Sequence, residues 1–274
     1  MAFGFDHIPT RSGKALDGMR RACGLARDVL VKAAKLVAPG VTTGEIDRFV
    51  AAEIKAAGAT SAFLNYQVGK KRFPGTICIG LNDEVVHGIG NDRKIQPGDI
   101  VKIDVGLHYG GWVGDNALTV PVPPITEDVQ KLLSATEDAL EVAIDHARDG
   151  LMLGDLCHSV EAYVRRFGLS VVQDYVGHGV GRKLHEEPQV PNYGVKGAKP
   201  RLKAGMTLAI EPMINLGTDR TKTLSDGWTV VTVDRKPSAH YEHVVLVTRG
   251  EPEVLTMRDR INPRLTEKLD RHTA

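Results

Sequence analysis

The chain has 274 residues, 42% of them hydrophobic and 25% charged, which suits a globular protein of one large or two small domains. Its formal net charge of +1 removes any bulk-charge argument for a nucleic-acid or membrane role. Cys23, Cys78 and Cys157 are odd in number and far apart, and neither a signal peptide nor a membrane span is legible, so a cytoplasmic protein without a disulfide framework is expected.

Residues 1–12 are expected to form an N-terminal tail. The first helix is expected over about 15–38, from the apolar stripe of Leu16, Met19, Cys23, Leu25, Leu30 and Ala34 and the Pro39-Gly40 stop. The second covers about 43–57, with Thr42 and Glu45 spaced as a capping box. A β-rich stretch follows, and then two more helices, over about 127–148 and 154–166.

These helix pairs are related. Gly40, Gly44, Ile46, Val50, Ile54 and Gly58 recur, 110 residues later, as Gly150, Gly154, Leu156, Val160, Val164 and Gly168. The β-rich parts echo as well: "HGIG" at 87–90 with "HGVG" at 178–181, and "IQPGDIVKID" at 95–104 with "LKAGMTLAIE" at 202–211. In this alignment Glu211 stands in the position of Asp104. The expected fold is therefore α+β, with two half-repeats, about 13–124 and 125–257, facing each other across a pseudo-two-fold axis inside one domain over 13–274. Chance matching of common Gly and Val residues is the bland alternative, and the kept order of the segments argues against it.

"GDIVKIDVGLHYGGWVGDNALTV" reads as a hairpin. With Tyr109 and Gly110 at the turn centre, Asp104 would sit directly opposite Asp115, on the same face. Two such carboxylates repel by roughly 3 kcal/mol at an effective dielectric of about 20. Either one is protonated or a cation lies between them. Asp115 also follows Gly114, and a plain turn-forming role would account for it. Glu242 lies in "SAHYEHVVLVT", which reads as a strand, where an unpaired buried carboxylate is costly.

"GHGVGRKLHEEP", residues 177–188, suggests a zinc-protease helix at first sight, but that motif needs a second His four residues after the first. Gln189 stands there, and Pro188 disfavours a helix. The segment is expected to be strand and loop. Asp104, Asp115, His178, Glu211 and Glu242, four carboxylates and one imidazole, suit two divalent ions about 3.5–4 Å apart.

Together with "NDEVVHGIG", "LKAGMTLAIEPMI" and "DGWTVVTVDRKPSAHYEH", these segments resemble the methionine aminopeptidases in their short type I form, over about residues 12–257. The resemblance implies the pita-bread fold, an antiparallel sheet flanked by helices. It implies metal ligation by Asp104, Asp115, His178, Glu211 and Glu242, with Asp115 and Glu242 bridging, and removal of the N-terminal methionine by hydroxide attack on the first peptide bond. The ions would be Co, Mn, Fe or Zn. His87 and His185 are implied to contact substrate, with His185 helping to stabilise the oxyanion, and Glu211 also to move the proton. Phe63, Tyr66, Phe73, Cys78, Leu184 and Trp228 are implied to surround the methionine side chain. Gly106 and Asn116 stand where the family commonly has threonine.

The expected substrates are peptides with N-terminal Met and a small second residue, met on nascent chains with transient ribosome association and without a direct nucleic-acid role. A monomer is expected. The remaining histidines, His7, His108, His146, His158, His240 and His272, are assigned structural or surface places, and His243 is expected to point away from Glu242. The rival readings are a proline-specific aminopeptidase or dipeptidase of the same fold and a non-catalytic peptide-binding module.

Overall fold

The computed structural model describes residues 8–265. The first seven residues of the expected tail and residues 266–274, with His7 and His272, lie outside the described residues. The rest of the expected tail is tied down. Arg11 is buried, its backbone N–H donates to the Gly205 carbonyl at 2.8 Å, and its guanidinium donates to Thr207 Oγ1 at 2.8 Å and pairs with Glu186.

Four helices appear where the periodicity placed them: α1 (Lys14–Ala34), α2 (Thr43–Ala56), α3 (Glu127–Asp145) and α4 (Leu153–Arg165). The capping box on α2 is present in both directions: Thr42 Oγ1 accepts from Glu45 N–H at 3.1 Å, and the Glu45 carboxylate accepts from Thr42 N–H at 2.7 Å. Helix α1 stops at Ala34, earlier than expected. The Leu36 and Val37 N–H groups turn back onto the Ala33 and Ala34 carbonyls before Pro39 is reached.

The strands in chain order are β1 (Thr60–Ser61), β2 (Gln67–Val68), β3 (Lys71–Arg72), β4 (Cys78–Leu81), β5 (Glu84–Val86), β6 (Ile100–Tyr109) and β7 (Trp112–Pro121), followed after α4 by β8 (Ser170–Val171), β9 (Gly177–Gly179), β10 (Glu186–Val190), β11 (Thr207–Ile210), β12 (Met213–Asn215), β13 (Thr221–Thr223), β14 (Val230–Thr232), β15 (Ser238–His240), β16 (His243–Leu246) and β17 (Glu253–Val254). Every strand pairing is antiparallel. Strand β6 lies between β4 and β7, and β11 lies between β9 and β16. Helix α1 packs against β6 and β7, while α3 packs on α4, β12 and β15. Between helices and strands the apolar core runs through Leu30, Ile46, Ile79, Ile103, Leu118, Leu140, Leu156, Leu208 and Tyr241.

The hairpin register differs from expectation. Tyr109 pairs with Trp112, so Gly110 and Gly111 are the turn centre, with φ of 58° and 78°. A two-residue turn of this type needs positive φ at both central residues, which glycine adopts without the Cβ clash tyrosine would suffer. The whole register moves by two. Asp104 pairs with Ala117, Gly106 pairs with Asp115, and the two aspartates are diagonal neighbours on one face rather than directly opposed. Diagonal neighbours lie roughly 7–8 Å apart at Cα, which weakens their repulsion and widens the gap between them.

The two strand sets keep the strand echo. Ile100 pairs with Pro121 as Thr207 pairs with Leu246, Gly106 with Asp115 as Met213 with His240, and Leu107 with Ser61 as Ile214 with Val171. The Gly98 and Gly205 N–H groups likewise donate to the Val122 and Val247 carbonyls. Glu211 is therefore the counterpart of Asp104, while Asp115 matches His240 and Ala117 matches Glu242. The "HGxG" echo does not survive. His178 pairs with Ala209, the counterpart of Lys102, whose partner on β4 is Gly80, so His178 matches Gly80 and not His87. The expected strand around Glu242 is broken: β15 ends at His240 and β16 begins at His243.

Candidate active site

The hairpin, the second strand set and the Phe63–Phe73 segment wall a cavity of about 340 Å³. All thirteen side chains expected at the site line it: Asp104 and Asp115 from β6 and β7, His178 from β9, Glu211 after β11, Glu242 before β16, the two histidines His87 and His185, and the six of the apolar wall, Phe63, Tyr66, Phe73, Cys78, Leu184 and Trp228.

Asp115, His178 and Glu242 converge most closely. Each offers a ligand atom, and these atoms lie within 4.8 Å of one another. At that separation two carboxylates repel by about 3–4 kcal/mol at an effective dielectric of about 20. Their surroundings do not compensate. Asp104 Oδ1, Asp115 Oδ1 and Glu242 Oε1 are buried without hydrogen-bond partners. Burial first, and then the neighbouring carboxylates, hold Asp104, Glu211 and Glu242 well above the usual carboxylate range, and burial lifts Asp115 to about 7. Oxygen atoms that face one another with no donor between them fit a divalent cation, which removes the repulsion and supplies the missing partner.

His178 is set up as a neutral ligand. Its Nδ1 lies 3.0 Å from the Gly179 carbonyl, which can only accept, so Nδ1 carries the proton. The lone pair on Nε2 then faces Glu211 Oε1 at 3.5 Å and Asp115 Oδ2 at 3.8 Å. Burial, and then the adjacent His185, push its pKa down to about 3. Burial also lowers His185, and takes His87 to about 4.

The bend carrying His185 is built by Glu186. Its Oε1 accepts from the Arg182 and Lys183 N–H groups at 2.8 and 3.1 Å, while Oε2 pairs with Arg11. His185 Nδ1 lies 2.6 Å from Tyr66 Oη, and its ring sits edge-on to His178, centroids 4.4 Å apart. Tyr66 precedes the β2–β3 hairpin, whose base is closed by Phe73 N–H donating to the Tyr66 carbonyl at 2.9 Å. Phe73 in turn meets Trp228 edge-on at 5.3 Å. At Gly106, a Cβ would stand 2.5 Å from Phe63 Cε1 and 3.2 Å from Asp115 Oδ1, so Phe63 occupies the space of a side chain there. Asn116 is fully buried and donates to the Val105 carbonyl at 3.3 Å, tying β7 to β6.

Several lining residues escaped the sequence reading: Val68, Val86, Asp174, Tyr175, Val176 and Met213. Val86 and Met213 lie inside the quoted motifs, where the chemistry of neighbouring residues drew the attention. Tyr175 meets the His87 ring edge-on at 5.4 Å. His240, assigned a structural or surface place, is buried with Nε2 3.5 Å from Glu211 Oε2. His243 does turn away, with Nδ1 2.9 Å from Thr256 Oγ1.

Residues 17–249 match the model of metallopeptidase family M24. The chain is 46% identical over 222 residues to methionine aminopeptidase 1 of Bacillus subtilis, covering 81% of this chain and 88% of that protein. It is 44% identical over 250 residues to the methionine aminopeptidase of Clostridium perfringens, covering 91% and 99%. Among solved structures, methionine aminopeptidase from Thermotoga maritima superposes with a TM-score of 0.87 at 38% identity, over 92% of this chain and all of that one. Prolidase from Pyrococcus furiosus shares the fold, with a TM-score of 0.73 at 23% identity over 92% of this chain and 66% of that chain.

Proposed function

The chain belongs to metallopeptidase family M24, among its methionine aminopeptidases, and from that premise we propose that the cavity removes N-terminal methionine from nascent chains with two divalent metal ions. One observation carries the reading: four carboxylates and one neutral imidazole line a single cavity, and three of the carboxylate oxygens are buried without partners. Asp104, Asp115, His178, Glu211 and Glu242 would hold the ions. When bound, such a pair polarises a carbonyl and acidifies water to near neutrality.

The chain's own groups do the rest. The thioether enters the wall of Phe63, Tyr66, Phe73, Cys78, Leu184 and Trp228, an apolar, partly aromatic surface suited to a polarisable sulfur. With Tyr66 Oη donating to Nδ1 of His185, Nε2 bears the proton and donates to the substrate carbonyl as negative charge grows there. His87 hydrogen-bonds near the scissile amide. Glu211, whose carboxyl is held high by burial, takes up a proton and returns it to the leaving amine. The ion is Mn, Fe, Co or Zn, since an oxygen-rich site with one histidine accepts each of these. Substrates carry a small second residue, and the reaction runs in the cytoplasm on chains meeting the ribosome transiently.

The likeness to prolidase rests on the fold alone. Purified protein with added Mn²⁺ or Co²⁺, offered Met-Ala-Ser and Ala-Pro peptides, should release methionine from the first and leave the second intact. Cleavage of Ala-Pro, or no cleavage with metal demonstrably bound, would sink the reading.

A further inference from the structure

The segment after β17 lies beyond the residues matched by the family model, which end at 249, and from Arg258 onward it lies beyond both half-repeats. It is nevertheless fastened to both halves. Leu255 N–H donates to the Val244 carbonyl at 2.8 Å, and Thr256 Oγ1 accepts from Val244 N–H at 3.1 Å. Further along, Asn262 N–H and Nδ2 both donate to Glu137 Oε2 at 2.9 Å, and Nδ2 also donates to Tyr241 Oη at 2.6 Å. Arg260 donates to Asp138 and Glu141 at 2.7 Å, and Leu265 N–H donates to Asp138 Oδ2 at 3.0 Å. The strap is thus pinned along α3 and along β16.

Between these pins, Arg258 turns inward. Its Nη2 donates to the Ala117 carbonyl at 2.9 Å, and its Nη1 donates to His243 Nε2 at 2.9 Å. The contacted residues lie immediately behind the cavity. Ala117 pairs with Asp104 across the hairpin and lies two residues after Asp115. The same Ala117 carbonyl accepts Glu242 N–H at 2.9 Å, and His243 is the next residue after Glu242. One guanidinium therefore bridges the strand carrying Asp115 to the strand edge carrying Glu242, at the backbone bond that joins those two sites. Only a planar fork with separate donors reaches an imidazole and a carbonyl together in this way. A strap serving only to cover apolar surface would need no buried cation facing this seam.

We propose that Arg258 is a positioning residue for the metal centre: it fixes the spacing of Asp115 and Glu242 across the seam between the two halves. The proposal rests on reading those carboxylates as metal ligands. Without the fork, β7 and the Glu242 break are free to part, and the two carboxylates no longer present a preformed site. The effect falls on metal affinity, because the Arg258 guanidinium bonds to His243 and Ala117 and to no residue of the apolar wall nor to His185.

The test is titration calorimetry of Mn²⁺ into the metal-free native, Arg258→Met and Arg258→Lys proteins, with KM for Met-Ala-Ser measured at saturating Mn²⁺. Arg258→Met should bind Mn²⁺ about tenfold more weakly, a typical loss when a group supporting a metal ligand is removed, while KM stays native. Arg258→Lys keeps the charge but not the fork and should weaken binding several-fold. Should Arg258→Met fail to fold, Arg258→Lys decides alone. Native Mn²⁺ affinity in a folded variant, or a rise in KM with unchanged affinity, would overturn the positioning role. A native protein that takes up no Mn²⁺ would instead overturn the metal centre itself.

Discussion

The two halves of the molecule bring acids to one cavity by different routes. In the first, Asp104 and Asp115 come from a single hairpin whose turn is two glycines long. In the second, His178, Glu211 and Glu242 come from one strand and two strand ends, spread from residue 178 to residue 242. Of these five, only Asp104 and Glu211 occupy matching places. At the other places the halves diverge: His240 is the counterpart of Asp115, Ala117 that of Glu242 and Gly80 that of His178. A repeated scaffold can thus hold an unsymmetrical centre, because register repeats while side chains need not.

The largest effect should come from Asp115 and Glu242, whose counterparts, His240 and Ala117, offer no carboxylate. Asp115→Asn and Glu242→Gln should each lower kcat/KM by about a thousandfold, on the order of 4 kcal/mol of barrier. Equal losses would sharpen the view that the centre rests on unmatched places; a loss below about tenfold at either would break it.

Titration of the metal-free protein reads both halves at once. A carboxyl whose folded pKa lies above its unfolded value binds protons more readily when folded. Its contribution is therefore present at low pH and is lost as pH rises from the ordinary carboxylate range, about 4, through the raised value, about 7 for Asp115. Below about pH 6.5 the buried, neutral His178 and His87 act in the opposite sense, so metal-free Tm should fall between about pH 7 and pH 8, and saturating Mn²⁺ should abolish the fall. A metal-free Tm that rises across this window would contradict the geometry.

His185 and its partner Tyr66 give a smaller effect. His185→Ala should reduce kcat about a hundredfold with Mn²⁺ affinity unchanged, as for loss of an oxyanion donor. Tyr66→Phe should reduce it about tenfold, because the imidazole loses the partner that fixes its proton. If Tyr66→Phe raises KM alone, Tyr66 acts only as pocket wall.

The smallest effect is expected at Gly106→Thr, at the place matched to Met213 in the second half. Its Cβ would collide with Phe63. Thermal unfolding should show about 1–3 kcal/mol of destabilisation, and adding Phe63→Ala should recover part of it.

Much of this was legible in the sequence. The capping box of α2, the helix stripes and the five candidate ligands all depend on short-range patterns, which periodicity and spacing report. What failed was register. Placing Tyr109 at the turn centre shifted the hairpin by two residues, although the Gly110-Gly111 pair carried the signal. The "HGxG" echo linked His87 to His178, while the pairing that makes Gly80 the counterpart of His178 is set by contacts between separate strands. His240 and Arg258 were invisible for the same reason. A lone histidine or arginine acquires meaning only when distant segments, here Glu211 and Ala117, arrive beside it.

The bond between Tyr66 and His185 has a consequence for anyone redesigning this cavity. The aromatic that borders the proposed side-chain pocket also holds the His185 imidazole, so on the proposed roles selectivity and speed are not independent dials at that position. Enlarging the pocket at Phe73, whose ring meets Trp228 rather than a histidine, should admit bulkier first residues while leaving turnover nearly intact. The same change made at Tyr66 would trade one property for the other.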